Sequence, residues 1–276
     1  MNKQPMELSD AQIRKMHNVQ LTMLIEFDRI CRKHNIKYIL DGGSLLGAIR
    51  HKGFIPWDDD IDIRMLRGEY EKFCEVSNEL SQDMTFQNYE LDKGYPWMYA
   101  KIRMNGTKAV KIGQDKLDMH SGIFIDIFPC DGVPDNNKKR KIYNIKAKIC
   151  RKILYARTAK ELSNNVWKCL GWNVVCLIPK KMVYHVYENM QRKYTEFNCS
   201  KVGIIGWHGI EETTGFDLKY FKDLVEVEFE NHLFWAPRDW NGFLSFAFGA
   251  DYMKVPPVEK QVKEHGIIEF DLGKYE

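Results

Sequence analysis

Two hydrophobic periodicities alternate along the chain and mark out its elements. Ile13, Met16, Met23, Phe27 and Ile30 recur at helical spacing behind Ser9-Asp10-Ala11-Gln12, a capping-box sequence, and predict a helix over 10–34. The apolar stretch KYIL (37–40) predicts a short buried strand, followed by a Gly42-Gly43 turn and a short helix over 44–50. DIDIRM (60–65) alternates with period two and reads as a strand, and RGEYEKFCEVSNEL (67–80) reads as a helix. YPWMYAKIRMNGT and KAVKI predict a hairpin around Asn105-Gly106, and GIFIDIF (122–128) predicts a further strand closed by Pro129.

From 136 to 197 the pattern becomes helical, with breaks expected at Gly171 and Pro179. VEVEF and HLFWAP then predict a hairpin across Glu230-Asn231, and a last helix precedes FGADYMKVPP. This order predicts an α/β fold, a mixed sheet with flanking helices and a helical insertion. Residues 1–135 would form the catalytic core, 136–200 the insertion, and 201–276 a part that returns to complete the core.

Composition is that of an ordinary globular protein, and the formal net charge is only +3. Its distribution is uneven: ten Lys or Arg and no acid lie between 138 and 160. Ile142, Ile145, Ile149 and Ile153 recur there at spacings of three and four, so the segment reads as a basic amphipathic helix. Two uses fit it, a solvated face over the core or a peripheral contact, through 138–179, with a membrane or a polyanionic acceptor. Seven scattered cysteines without C-x-x-C spacing read as free thiols, and no leader-like or membrane-spanning run is evident. The expected location is cytoplasmic, with the inner face of the membrane as the site of any peripheral contact. No motif for specific nucleic-acid recognition accompanies the basic segment.

The chemistry concentrates in LDGGSLLGAIRHKGFIPWDDDIDIRM (40–65). On a strand, Asp60 and Asp62 share one face about 6–7 Å apart while Ile61 and Ile63 enter the core. Two such carboxylates suit a divalent cation bound through oxygen, Mg²⁺ first and Mn²⁺ as the alternative. An exposed acidic turn is the plainer reading. Asp58 shares the face of Asp60 and could support the ligands; Asp59 points away. Gly42, Gly43 and Ser44 sit between a strand and a helix start, where free N–H groups and a hydroxyl can hold an anion, or where the three form a plain turn with Ser44 as an N-cap. Arg50, His51 and Lys52 could neutralise phosphate oxygens or simply complement the helix dipole. Asp126 interrupts an apolar strand, which is costly unless it is paired or metal-linked. The competing reading is an acid at a frayed strand end, capping the PCDGVP turn. Asp131, in the following turn, has a weaker claim.

A strand, a Gly-Gly-Ser turn, an Asp-x-Asp strand and a later strand acid resemble the nucleotidyltransferase superfamily. LDGGSLLGAIRHKGFIPWDDDIDI, GIFIDIFPCDGVP and FGADYMKVPP together resemble the LicD family of phosphocholine and related phospho-alcohol transferases. Where the family often carries Thr, Ser44 stands, and FGADYM departs from a YGDYM-type sequence. The resemblance implies transfer of phosphocholine, or a related phospho-alcohol, from CDP-choline or another CDP-alcohol. The acceptor would be a hydroxyl of a cell-surface polysaccharide, lipopolysaccharide included, or of a teichoic acid precursor, lipid-linked. It also implies a cation on Asp60 and Asp62, with Asp126 completing the metal site or acting as general base, and a cytidylate held by Gly43, Ser44, Arg50 and Lys52.

A quaternary ammonium needs aromatic faces. Trp57 is the first choice; Tyr95, Trp97 and Tyr99 near Lys101, and Trp235 and Trp240, follow it. Lys101 is a further substrate-binding candidate. Asp251, Tyr252, Lys260 and His265 could add an active-site wall. Two other functions stay open: nucleotidyl transfer from a nucleoside triphosphate to a small acceptor, and non-catalytic polyanion binding.

Overall fold

A computed structural model describes residues 4–163, 165–195, 198–206, 214–261 and 266–276. The capping box forms as expected at α1 (Asp10–Lys33), with the Ser9 N–H donating to Gln12 Oε1 and the Gln12 N–H to Ser9 Oγ. Helix α1 buries Met16, Met23, Phe27 and Ile30 against the sheet. Strand β1 (Ile39–Leu40) leads directly into α2 (Gly42–His51), and β2 (Asp62–Leu66) leads into α3 (Arg67–Val76). The sheet continues with β3 (Met84–Gln87), β4 (Ala100–Met104) and β6 (Phe124–Val133), while β5 (Lys108–Lys111) lies outside it.

Strand order is β1-β2-β6-β4-β3, with β2 parallel to β6 and the other pairings antiparallel. The mixed α/β fold expected from the pattern is therefore present. Two details differ. The strands β4 and β5 do not form a hairpin: both edges of β4 are taken by β3 and β6, and β5 pairs with β11 (Ile267–Asp271). Pro129 does not end β6. The Asp126 N–H points toward β2, so by alternation the Pro129 nitrogen faces the other side, between the end of β4 at Ile127 and the start of β7 (Lys201–Gly203) at Asp131. No ladder bond is lost there.

The helical block comprises α4 (Asn137–Leu154), α5 (Ala156–Glu161), α6 (Val166–Val175) and α7 (Lys180–Gln191). Pro179 separates α6 from α7 as expected, but α6 runs through Gly171. A single glycine costs a helix about 1 kcal/mol, which is not enough to break it. Tyr143, Ala147, Cys150 and Leu154 of α4 meet Val183 and Tyr187 of α7 in a second apolar cluster. The chain then returns through β7, β8 (Phe216–Asp217), α8 (Lys219–Lys222), β9 (Leu224–Phe229) and β10 (His232–Pro237) to α9 (Trp240–Phe248). The β9–β10 hairpin turns on Glu230 and Asn231, at φ 51° and 61°. Those paired positive values are what a tight hairpin turn demands.

Candidate active site

Register places the carboxylates. Asp62 and Asp126 are Cα partners across β2 and β6, and Lys101 is the partner of Asp126 across β4. All three project from one face, and the Lys101 ammonium donates to Asp126 Oδ1. Asp60 joins from just ahead of β2. Carboxylate oxygens of Asp60, Asp62 and Asp126 all lie within 4.8 Å of one another. The structure thus brings together the three acids that sequence reasoning singled out.

Burial and mutual repulsion act on this cluster. Burial, then Asp59, push the Asp60 carboxyl up to about 7 against the opposing pull of Lys111. Burial and the neighbouring Asp60 and Asp126 push Asp62 well above the usual carboxylate range. Burial also depresses the Lys101 ammonium to about 8, more than Asp126 can restore. A divalent cation relieves such crowding, and an all-carboxylate donor set is what a hard cation prefers. The residues present fit Mg²⁺ or Mn²⁺.

The glycine turn is shaped by these acids. Gly42 has φ +50°, and a Cβ there would stand 3.1 Å from Asp62 Oδ2. A Cβ on Gly43 would stand 2.2 Å from Asp58 Oδ2. The N-terminus of α2 therefore receives the carboxylates of Asp58 and Asp62, and its dipole favours their charge. Ser44 is buried, and its Oγ accepts the Asp62 N–H at 2.9 Å. It holds the Asp-x-Asp strand against α2 rather than facing outward. Asp41, ahead of the turn, donates its N–H to the Asp62 carbonyl and accepts from Arg64 Nε at 2.7 Å.

Sequence reasoning missed three supports. His17 Nε2 lies 2.8 Å from the Asp58 carbonyl, and Gln20 Nε2 donates to the Asp59 carbonyl at 2.6 Å and to Phe124 O at 3.2 Å. The signal was there: both are polar residues inside the buried stripe of α1. Lys111 Nζ stands 3.3 Å from Asp59 Oδ2 and 3.7 Å from Asp60 Oδ2. Burial works against its charge, but Asp59 and Asp60 outweigh it and keep the ammonium firmly protonated. Nothing in KAVKI marks it. Asp59 is buried beside it, and Asp58, Asp59 and Asp60 form a second close carboxylate group.

The basic trio disperses. Arg50 Nη1 donates to the Tyr252 carbonyl at 3.1 Å, and its Nε to His51 Nε2 at 2.9 Å. Burial, then the Arg50 charge, hold His51 below the ordinary imidazole value. Lys52 caps α2 at φ 60°, its carbonyl accepting the Glu230 N–H, and its side chain is exposed. Lys101, expected at the substrate, is instead buried against Asp126. Asp131 is held by Arg67 through two bonds of 2.7 and 2.8 Å and belongs to the core, not the cluster. His265 falls outside the described residues; Tyr252 packs its hydroxyl on Asn241, and Asp251 pairs with Lys254.

The aromatic candidates separate into two cavities. Trp57, edge-on to His51 at 6.2 Å, lines one of about 530 Å³ with Phe54, His17, Arg14, Asp10 and Glu230. Trp97 and Tyr99 line another of about 430 Å³, with Tyr155 and with Lys148, Arg151 and Lys152 of α4. Its lining includes no acid. Tyr99 forms the wall toward the cluster, for Lys101 Nζ lies 5.4 Å from its ring centre. Tyr95 is fully buried, and Trp235 is covered by Arg32 at 5.1 Å.

Comparison with known proteins gives a consistent result. A family model described as "LicD/FKTN/FKRP, nucleotidyltransferase domain" matches residues 35–155. The lipopolysaccharide cholinephosphotransferase LicD of Haemophilus influenzae is 31% identical over 278 residues, covering 92% of this chain and 96% of that protein. The human ribitol 5-phosphate transferase FKRP is 61% identical over 28 residues, only 10% of this chain and 6% of its own. An uncharacterized Rickettsia typhi protein, RT0683, is 35% identical over 81 residues, 27% of this chain and 26% of its own.

Proposed function

Since the chain belongs to the LicD family, we propose that it transfers phosphocholine from CDP-choline to a hydroxyl of a lipopolysaccharide saccharide. The observation that carries the chemistry is the carboxylate triad Asp60, Asp62 and Asp126, gathered within 4.8 Å beneath the N-terminus of α2. On this reading these three acids hold Mg²⁺, with Mn²⁺ as the alternative. The cation, when bound, supplies neutralising charge for the pyrophosphate oxygens.

The chain's own residues divide the remaining tasks. Asp126 already accepts from the Lys101 ammonium and lies within the carboxylate cluster, which supports reading it as a ligand rather than as a base. Ser44, Gln20 and Arg64 fix the backbone and the supporting acids, so the cluster is built before substrate arrives. The two cavities differ in charge, which supports a different substrate for each. The Trp57 cavity joins aromatic faces with two acids, Asp10 and Glu230, against one cation, Arg14, which suits a quaternary ammonium better than an anion. The Tyr99 cavity joins aromatic faces with three cations, which suits an acidic saccharide and disfavours choline.

The test is direct. The purified chain is supplied with CDP-choline, Mg²⁺ and a lipopolysaccharide saccharide acceptor, and CMP release and acceptor labelling are followed. Both are expected with the native chain, and Asp60→Asn and Asp62→Asn should abolish both while remaining folded. Pyrophosphate release from a nucleoside triphosphate, with no CMP from CDP-choline, would replace this reading with nucleotidyl transfer.

A further inference from the structure

Helix α4 turns outward the face that the sequence offered to the core. It buries Tyr143, Ala147, Cys150 and Leu154. With about 100° between successive helical residues, Ile142, Ile145 and Ile149 lie on the opposite side. They are exposed by 57%, 50% and 53%. Helix α6 buries none of its residues. Trp167, Leu170 and Val174, with Leu177 just beyond the helix, repeat at spacings of three and four and form a second outward stripe. Trp167 is 81% exposed and Leu177 79%. A monomer in water seldom displays so many large apolar side chains without a partner for them.

The charge around the stripes has one sign. Residues 136–187 contain thirteen Lys or Arg and a single acid, Glu161. Lys138, Lys141, Lys146 and Lys152 are exposed on α4, as are Lys168 on α6 and Lys181 on α7. Apolar side chains set among lysines match the boundary between the acyl chains and the anionic headgroups of a bilayer. A second copy of this chain fits less well, because the same surface would bring lysine against lysine. No helix among the described residues is long and apolar enough to cross a membrane.

We propose that the outward faces of α4 and α6 dock the protein on an anionic lipid bilayer. Ile142, Ile145, Ile149, Trp167 and Leu170 enter the headgroup boundary, and the flanking lysines meet lipid phosphates. Docking of this kind is independent of the reaction assigned above and is measured without it.

The experiment is co-flotation of the purified chain with phosphatidylcholine vesicles, with and without phosphatidylglycerol. Binding is expected only when phosphatidylglycerol is present, and raised salt should weaken it. Replacing Lys141 and Lys146 with Gln should weaken binding about fivefold per lysine. Trp167→Ser with Leu177→Ser should weaken it at every salt concentration. All four side chains are exposed, so an unchanged melting midpoint is expected to certify the fold of each variant. Absence of flotation, equal binding to both vesicle types, or variants that bind like the native chain would overturn the proposal. So would a dimer, seen by light scattering, that Trp167→Ser with Leu177→Ser dissociates.

Discussion

Asp62 and Asp126 are direct neighbours across the parallel pair β2 and β6, so their carboxylates leave the sheet from the same face at a single strand spacing. Asp60 adds a third carboxylate from the chain ahead of β2, and Asp58 and Asp59 crowd in behind it. Lys101 pairs with Asp126 and Lys111 with Asp59 within this group. The negative excess is built into the register, and its consequences are measurable.

The metal-free protein should lose stability as pH rises. The Asp60 carboxyl titrates at about 7 in the folded chain, against an ordinary 3.8. The folded state therefore keeps a proton that the unfolded chain releases. That contribution is complete below 3.8 and is lost as pH climbs through about 7. Asp62 shifts in the same direction and steepens the decline. Thermal melts in chelator should show a midpoint that falls over this window, and Asp60→Asn should flatten the fall. Mg²⁺ should raise the midpoint more above pH 7 than below it, because deprotonated ligands bind the cation. A midpoint indifferent to both pH and Mg²⁺ would remove the cluster from consideration as a cation site.

Ser44 tests whether the glycine turn acts through position. Its Oγ is the acceptor for the Asp62 N–H. Ser44→Ala leaves that buried donor without a partner, at a cost of about 1–3 kcal/mol in urea unfolding. Cation affinity should fall with it, because Asp62 is no longer held to α2. Ser44→Thr keeps the hydroxyl and should restore affinity. Equal affinity in Ser44→Ala and the native chain would mean that α2 does not position the ligand strand.

Local pattern carried much of this site and non-local pairing carried the rest. The alternation in DIDIRM was sufficient to put Asp60 and Asp62 together, and the lone acid in GIFIDIF had to find a charged partner because its neighbours are apolar. Neither stretch could say that the partner would be Lys101, since that depends on β4 choosing β6. The same blindness turned β4 and β5 into an expected hairpin: Asn105-Gly106 permits the turn, but the edge of β4 is already occupied by β6. On α4 two stripes competed. The isoleucines are the more hydrophobic, yet the stripe of Tyr143, Ala147, Cys150 and Leu154 is the one that faces α7. Periodicity identified the helix without identifying which side has a neighbour.

The buried pair of Asp41 and Arg64 should couple the fold to the cluster. Arg64 Nη2 lies 2.6 Å from Asp41 Oδ2, and both side chains are almost fully covered. Arg64→Ala alone leaves the Asp41 charge buried without its ion-pair partner, at a cost of about 3–5 kcal/mol. Adding Asp41→Ala should recover part of that loss, so a double-mutant cycle in urea should show favourable coupling between the two. Additive losses would mean that the pair contributes nothing beyond its separate packing.

The two aromatic cavities should respond to different substrates. Trp57 shares its cavity with Phe54, Asp10, Glu230 and a single cation, Arg14, whereas Trp97 and Tyr99 share theirs with Lys148, Arg151 and Lys152. If the first holds the quaternary ammonium, Trp57→Ala should raise the KM for CDP-choline about tenfold, the size of one partly desolvated cation–π contact. It should do less to CDP-ethanolamine, whose N–H groups can find other acceptors. Trp97→Ala should raise the KM for the saccharide acceptor and leave that for the donor near its native value. Steady-state kinetics with each substrate varied in turn separates the two. A donor effect from Trp97→Ala together with an acceptor effect from Trp57→Ala would exchange the two cavities. Three cations, Lys148, Arg151 and Lys152, would then line the choline site, and cavity charge would not select the substrate.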